Sequence, residues 1–223
     1  MIRKIKVMSL SCVAVLALGA MSASAAQAAS WTAAKYPVTI KATSAAVSNW
    51  TMGNGARVLS CGAKFTGAIG GGATSSLNVT PEYTGCTSTG GLPTTIQMNG
   101  CTYTWNVSTL TTGTQTIKCP AGKEIMLLVY ANETKQKEGI TACEASVAAQ
   151  GPISGLGFSN QGEKEGRYVA MNESLSLQAY ALKGSKLLCG AAAGTSFSLS
   201  NAGNVTAQAW NSAGTEQVGL WIG

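Results

Sequence analysis

The chain is 223 residues long, carries a formal net charge of +6, and contains seven cysteines but no histidine and no aspartate. Those two absences remove the Ser-His-Asp triad, the Cys-His dyad, imidazole zinc sites and the usual EF-hand ligand set from the available chemistry. Three of the fifteen Lys and Arg residues are Arg3, Lys4 and Lys6; beyond them twelve cations face nine glutamates, a net charge of about +3 with no cluster of the kind that nucleic acid or an anionic membrane requires.

Residues 1–28 read as a secretory signal peptide. A positive n-region precedes the apolar stretch Val7 to Ala20, and small residues follow, with Ala26-Gln27-Ala28 as the leading cleavage site and Ala23-Ser24-Ala25 as its competitor. The stretch is short of the roughly 20 apolar residues that span a bilayer. Cys12 lies near its start, whereas a lipobox cysteine follows the apolar region, so no lipid anchor is expected. With no second apolar segment of spanning length, residues 29–223 are expected to be secreted, without a membrane span.

Past the leader the chain is rich in Thr, Ser, Gly, Ala and Val, alternates apolar and polar residues with period two, and punctuates that alternation with turn residues. Leu59, Cys61, Ala63, Phe65 and Ile69 share one face of a first strand; Gly70, Gly71 and Gly72 turn the chain, and Leu77 and Val79 return. After the Asn99-Gly100 turn, Cys101 to Ser108 places Cys101, Tyr103, Trp105 and Val107 on one face and Thr102, Thr104, Asn106 and Ser108 on the other. A turn through Leu110 to Gly113 brings back Thr114 to Cys119, with Gln115, Ile117 and Cys119 together. Further strands are expected over Glu124 to Ala131, Ile140 to Ala148, Leu175 to Leu182, Val205 to Trp210 and Gln217 to Ile222, with a turn at Asn211 to Gly214. Gln150-Gly151-Pro152 marks a candidate boundary between two packed subdomains. The fold class is all-β: an antiparallel, hairpin-rich, β-sandwich-like domain stapled by disulfides.

The six cysteines beyond the leader are Cys61, Cys86, Cys101, Cys119, Cys143 and Cys189. Folding the first hairpin about its glycines sets Cys61 opposite Cys86, and folding the second sets Cys101 opposite Cys119 on the core face; Cys143 and Cys189 are left to join the halves. Cys119–Cys143 is the rival pairing, which frees Cys101 for a distant partner. The cysteines lack the close C-x-x-C spacing of zinc sites, so structural disulfides, each worth roughly 2–4 kcal/mol, are expected rather than a metal centre or a reactive thiol.

Three routes to function survive. A glutamate pair could serve a glycosidic bond, but most of the nine glutamates, as in Glu163-Lys164-Glu165-Gly166, sit beside Lys, Gly or Asn and read as solvated charges. A Ser–Lys dyad finds only Ser185-Lys186, neighbours that a strand would point apart. A binding surface is the third. Gly155-Leu156-Gly157-Phe158 matches a carboxylate-binding loop but lacks its groove-forming helix, and Gly70 to Gly72 lacks the helix of a phosphate cradle. Trp210 and Trp221 each fall out of phase with the aliphatic residues of their strands, which makes them the candidate ligand-binding residues, exposed and near each other if the sheet is covered on one face only; the alternative is that they pack against the other half or a loop. Tyr103 and Trp105 read as core. Six N-x-[ST] triplets, at Asn49, Asn78, Asn106, Asn132, Asn172 and Asn204, are explained in part by wet strand faces.

The contexts Val58-Leu59-Ser60-Cys61, Pro81-Glu82-Tyr83 before Cys86, Asn99-Gly100-Cys101-Thr102-Tyr103, Cys119-Pro120-Ala121-Gly122 and Ala142-Cys143-Glu144 resemble those of a group of exported, β-rich actinobacterial proteins without an assigned activity. Asn-Gly-Cys-x-Tyr followed by Cys-Pro is the most specific element. The resemblance implies a secreted bacterial protein; the stretch Ala131 to Gly139 ahead of Cys143 departs from it as an insert. The expectation is a non-enzymatic extracellular binding or structural module, with no cofactor and an extracellular ligand or cell-surface component as partner. The alternative is a carbohydrate-active protein, either a lectin-like binder using Trp210 and Trp221 or a glutamate-pair hydrolase.

Overall fold

The structure, a computed structural model, describes residues 28–53, 55–163 and 166–223. Nearly all of the signal-peptide reading, including Arg3, Lys4, Lys6 and Cys12, lies outside the described residues. The chain opens with β1 (Trp31–Ala33), β2 (Val38–Ser44), β3 (Ser48–Met52), β4 (Arg57–Ile69) and β5 (Ser76–Ser88), followed by β6 (Leu92–Gln97), β7 (Thr102–Val107), β8 (Thr112–Lys118) and β9 (Ile125–Tyr130). A short helix, α1 (Glu133–Lys137), leads to β10 (Thr141–Val147), β11 (Gln150–Gln161) and β12 (Tyr168–Lys183). A second short helix, α2 (Lys186–Cys189), precedes β13 (Ser196–Asn211), β14 (Gln217–Val218) and β15 (Leu220–Ile222).

All strand pairs are antiparallel, and thirteen strands form one sheet in the order β10-β9-β6-β5-β7-β8-β11-β12-β13-β2-β4-β3, with β14 beside β13. Two further pairings, β10–β12 and β5–β4, close this sheet on itself in two circuits that share β12, β11, β8, β7 and β5, and a third, β13–β3, closes a smaller ring through β2 and β4. Closure satisfies backbone groups that open edges would leave exposed. β1 and β15 make a separate two-stranded sheet. No helix among the described residues is long and apolar enough to cross a membrane.

Alternation drives this architecture. Leu59, Cys61, Ala63, Phe65 and Ile69 of β4 are buried, as are Leu77 and Val79 of β5 and Tyr103, Trp105 and Val107 of β7. Along β12 and β13, register from Val169↔Ala207 to Tyr180↔Ser196 keeps one apolar face inward without a slip. Aromatic rings fill the middle: Trp31 stacks on Trp105 at 6.2 Å and meets Phe158 edge-on at 5.4 Å, while Phe65 lies 5.1 Å from Trp105. Such pairs contribute beyond their buried area. Trp105 Nε1 donates to Gln115 Oε1 at 3.0 Å, which explains a glutamine on the core face of β8.

The three bridges are Cys61–Cys86, Cys101–Cys119 and Cys143–Cys189. Thr102 pairs with Lys118, so the cysteines just beyond them are brought face to face; β4 reaches Cys86 through a register shift between Ser60 and Gly62. The rival Cys119–Cys143 does not form. Cys86 and Cys119 are half-buried rather than fully inside.

Some elements differ from expectation, with local causes. The stretch Ala131 to Gly139 holds α1, whose N-cap Asn132 accepts from Lys135 N at 2.9 Å. Gln150-Gly151-Pro152 lies inside β11, a strand that pairs with β8 on one side and β12 on the other. Gly155 within β11 has φ 122 and packs so closely on Ser174 of β12 that a Cβ would strike its carbonyl oxygen. The C-terminal run divides at Gly219: Gln217 and Val218 pair with β13, and Leu220 to Ile222 cross to β1.

Arg57 fastens one end of the closed sheet. It is 7% exposed; Nη1 donates to Ser88 Oγ at 3.1 Å and to Thr89 O at 2.9 Å, and Nη2 donates to Leu187 O at 3.4 Å. One guanidinium thus ties β4, the end of β5 and α2, next to Cys189. Arg57→Met keeps the bulk, removes these bonds and leaves the buried Ser88 hydroxyl without its partner; it is expected to lower unfolding free energy by about 3 kcal/mol. Urea titration checks this, with Arg57→Lys recovering only part of the loss because an ammonium cannot span all three acceptors.

Candidate binding trough and buried polar cluster

Two shallow hollows on the outer face of β11, β12 and β13 share Asn172 and Asn204. One, of about 390 Å³, runs over Gly157, Ser159, Ala170 and Thr206 and is flanked by Ala45 and Thr111. The other, of about 460 Å³, runs over Ser174 and Ala202 and is flanked by Ala46, Val47 and Asn49. Together they make a trough between the β2–β3 turn and the residue that precedes β8. Its position follows from strand pairing. Along β13, Leu199 to Ala202 pair with β3, whereas Val205 to Asn211 pair with β2. The handover leaves Gly203 and Asn204 beside the turn that joins β2 to β3, and Ala45 N is bonded to Asn204 O at 2.8 Å.

Asn172 and Asn204 are register partners, and Asn172 Nδ2 donates to Asn204 Oδ1 at 2.9 Å. The pair leaves the Asn172 amide oxygen and both N–H groups of the Asn204 amide without a partner inside it, an acceptor and donors side by side on the floor. Small residues around them keep the floor low. Glu173 and Gly203 also border the trough, but alternation turns the Glu173 side chain to the other face of the sheet, where it is 3% exposed. The trough is therefore lined by uncharged side chains. A larger hollow, of about 610 Å³, surrounds the Pro120–Lys123 turn and carries the charged Lys123 and Glu124. It offers no comparable pair of amides.

Behind the trough floor lies a buried polar cluster. Glu173 of β12 is the only buried glutamate among the described residues, which corrects the reading that leaves it among the solvated charges. The Asn201 amide of β13 turns its nitrogen to Glu173 Oε2 at 3.1 Å and its oxygen to Trp50 Nε1 at 3.0 Å and Ser48 Oγ at 3.2 Å; only this orientation matches donors to acceptors. Glu173 Oε1 is buried without a partner. Tyr83 and Tyr103 join hydroxyls at 3.1 Å nearby. Burial raises the Glu173 carboxyl to about 7, and burial is also the main cause that pushes both phenols up, with the Glu173 charge adding to it. The signal for Glu173 was present in the sequence: Val169, Met171, Leu175 and Leu177 set the apolar phase of β12, and Glu173 falls on it.

The two tryptophans proposed from alternation are half-buried. Trp210, near the end of β13, lies under Lys41 Nζ at 4.6 Å. Trp221, on β15, lies under Arg167 Cζ at 5.6 Å. They belong to different sheets, and a cation covers a face of each ring. Asn49, Asn78 and Asn106 accept cross-strand bonds from Ser60, Thr104 and Ser76, all at 2.7 Å, so these asparagines of N-x-[ST] triplets serve wet strand faces. Comparison with protein-family models, with curated proteins and with solved structures yields no match.

Proposed function

We propose that this protein is an exported, extracellular binding module, not a catalyst, and that its trough over Asn172 and Asn204 receives an extended, uncharged, hydroxyl-bearing ligand such as a polysaccharide strand. The observation that carries this reading is the spare acceptor and donor of the Asn172–Asn204 pair on an uncharged floor between two loops. A sugar presents adjacent hydroxyls that both donate and accept, which is what the pair leaves unmet. Export is supported by the leader-like residues 1–28 and by three disulfides, which persist in oxidising compartments. Against hydrolysis stands the direction of Glu173: its carboxyl faces Asn201 and the core, whereas glycosidic chemistry needs two carboxyls across a cleft.

A glycan array followed by titration calorimetry tests this. Asn172→Ala and Asn204→Ala are each expected to weaken binding roughly five-fold, the effect of about 1 kcal/mol per lost hydrogen bond. Absence of binding across neutral glycans would sink the proposal. Binding that survives both changes but falls with Trp210→Ala or Trp221→Ala would move the site to the cation-capped rings. Hydrolysis of a polysaccharide panel that is abolished by a Glu→Gln change would overturn the non-catalytic reading.

A further inference from the structure

We infer that Ser48 and Asn201 are the sites of an intramolecular ester cross-link, formed within the folded protein with Glu173 as the proton-transfer group. Four observations on the buried cluster support it. Ser48 is 1% exposed and Asn201 and Glu173 are each 3% exposed, so a hydroxyl, a carboxamide and a carboxyl are enclosed together away from bulk water. Ser48 Oγ lies 3.2 Å from the Asn201 amide oxygen, next to the carbonyl carbon it would attack. That oxygen also accepts from Trp50 Nε1 at 3.0 Å, a fixed N–H placed where negative charge develops as the carbonyl is attacked. The amide nitrogen, which must leave, lies 3.1 Å from Glu173 Oε2.

The step balances without an oxidant or a co-reactant. Ser48 Oγ bonds to Asn201 Cγ, and the C–N bond of the carboxamide breaks. The neutral Glu173 carboxyl protonates the departing nitrogen; the Ser48 hydroxyl proton passes to the Asn201 amide oxygen it faces and, as the carbonyl re-forms, returns to Glu173 through the departing ammonia between them. The products are one ester between β3 and β13 and one ammonia. Seclusion protects the ester from hydrolysis, and escape of ammonia to dilute solution draws the exchange forward. A buried carboxyl with no cation beside it has a role in this chemistry, since a protonated group supplies what the leaving nitrogen needs. The bond would join residues 153 positions apart at the place where β13 exchanges β3 for β2.

Intact-mass spectrometry of the exported chain tests the inference. The expected mass is lighter by one ammonia than the sequence with three disulfides, and a digest yields one branched peptide holding Ser48 and Asn201. Unfolding in mild base opens the ester, adds one water and leaves position 201 reading as aspartate. Ser48→Ala and Glu173→Gln are both expected to restore the full mass, and Ser48→Thr to retain the loss. A wild-type chain at full mass overturns the inference. So does an ammonia loss that persists in Ser48→Ala, which would place the loss elsewhere. Neither outcome bears on glycan binding by the trough, whose amides lie on the opposite face of the sheet.

Discussion

Replacing Cys143 and Cys189 together by alanine is expected to lower the unfolding free energy by about 4 kcal/mol, the largest loss among the three bridges. The bridge closes a sequence separation of 46, against 25 for Cys61–Cys86 and 18 for Cys101–Cys119, and restriction of the unfolded chain grows with loop length. The native surroundings add to the effect. Both sulfurs are fully enclosed, and Cys189 terminates α2, a four-residue helix too short to persist without tertiary support. The other two bridges staple strands already paired along a hairpin, so their loss leaves the ladder hydrogen bonds to hold the register. Cys143–Cys189 instead attaches α2 to β10, which meets in only a few places otherwise. Guanidinium titrations of the three double-alanine variants, at equal ionic strength, should rank Cys143–Cys189 first and Cys101–Cys119 last. A reversed order would mean that enthalpic terms in the native fold outweigh chain entropy here.

How far the fold was legible in the sequence depends on the type of residue that carries each element. β4, β5, β7 and β8 announce themselves because large apolar residues at every second position leave one choice of inward face, and a one-residue slip would expose Phe65, Tyr103 and Trp105. Cys101–Cys119 follows from the same register, whereas Cys61 meets Cys86 only because the β4–β5 register shifts between Ser60 and Gly62. β11 hides because glycines at 151, 155 and 157 remove the side chains that would display alternation. α1 hides because five polar residues carry no apolar stripe, and its signal is the Asn132 cap followed by Glu133. Sheet closure is a matter of which distant strands meet, and periodicity along one strand says nothing of that.

The candidate site divides in the same way. Glu173 is readable, because its phase on β12 outweighs the polar character of its neighbours Asn172 and Ser174 once the strand is extended back to Val169. The partners that make it a cluster are not, since Ser48 and Asn201 come from strands whose pairing no local pattern encodes. The trough is less legible still. Its floor amides lie 32 residues apart and its walls come from turns at Ala45 to Val47 and Thr111, which only the closed sheet brings together.

Glu173 also makes stability depend on pH in a direction opposite to that of most carboxylates. Its folded value, about 7, stands above the ordinary 4.5, so the folded state holds the proton more tightly than the unfolded chain does. The contribution of the neutral carboxyl is fully present below about pH 4.5 and is lost as pH rises through 7. Two and a half pH units of displacement correspond to about 3 kcal/mol. The comparison is best made in a Ser48→Ala background, where no ester can form at Asn201 and only the charge of Glu173 differs. In that background Glu173→Gln, neutral at every pH, is expected to show little advantage at pH 4 and about 3 kcal/mol greater stability at pH 8 than the glutamate it replaces. Urea titrations across this range measure the difference directly. The sign matters more than the size: a carboxylate paired with a cation would make the glutamate protein the more stable one at high pH. Parallel curves would show that Glu173 ionises in the folded protein as freely as in water, which a side chain 3% exposed with one oxygen unpartnered does not permit.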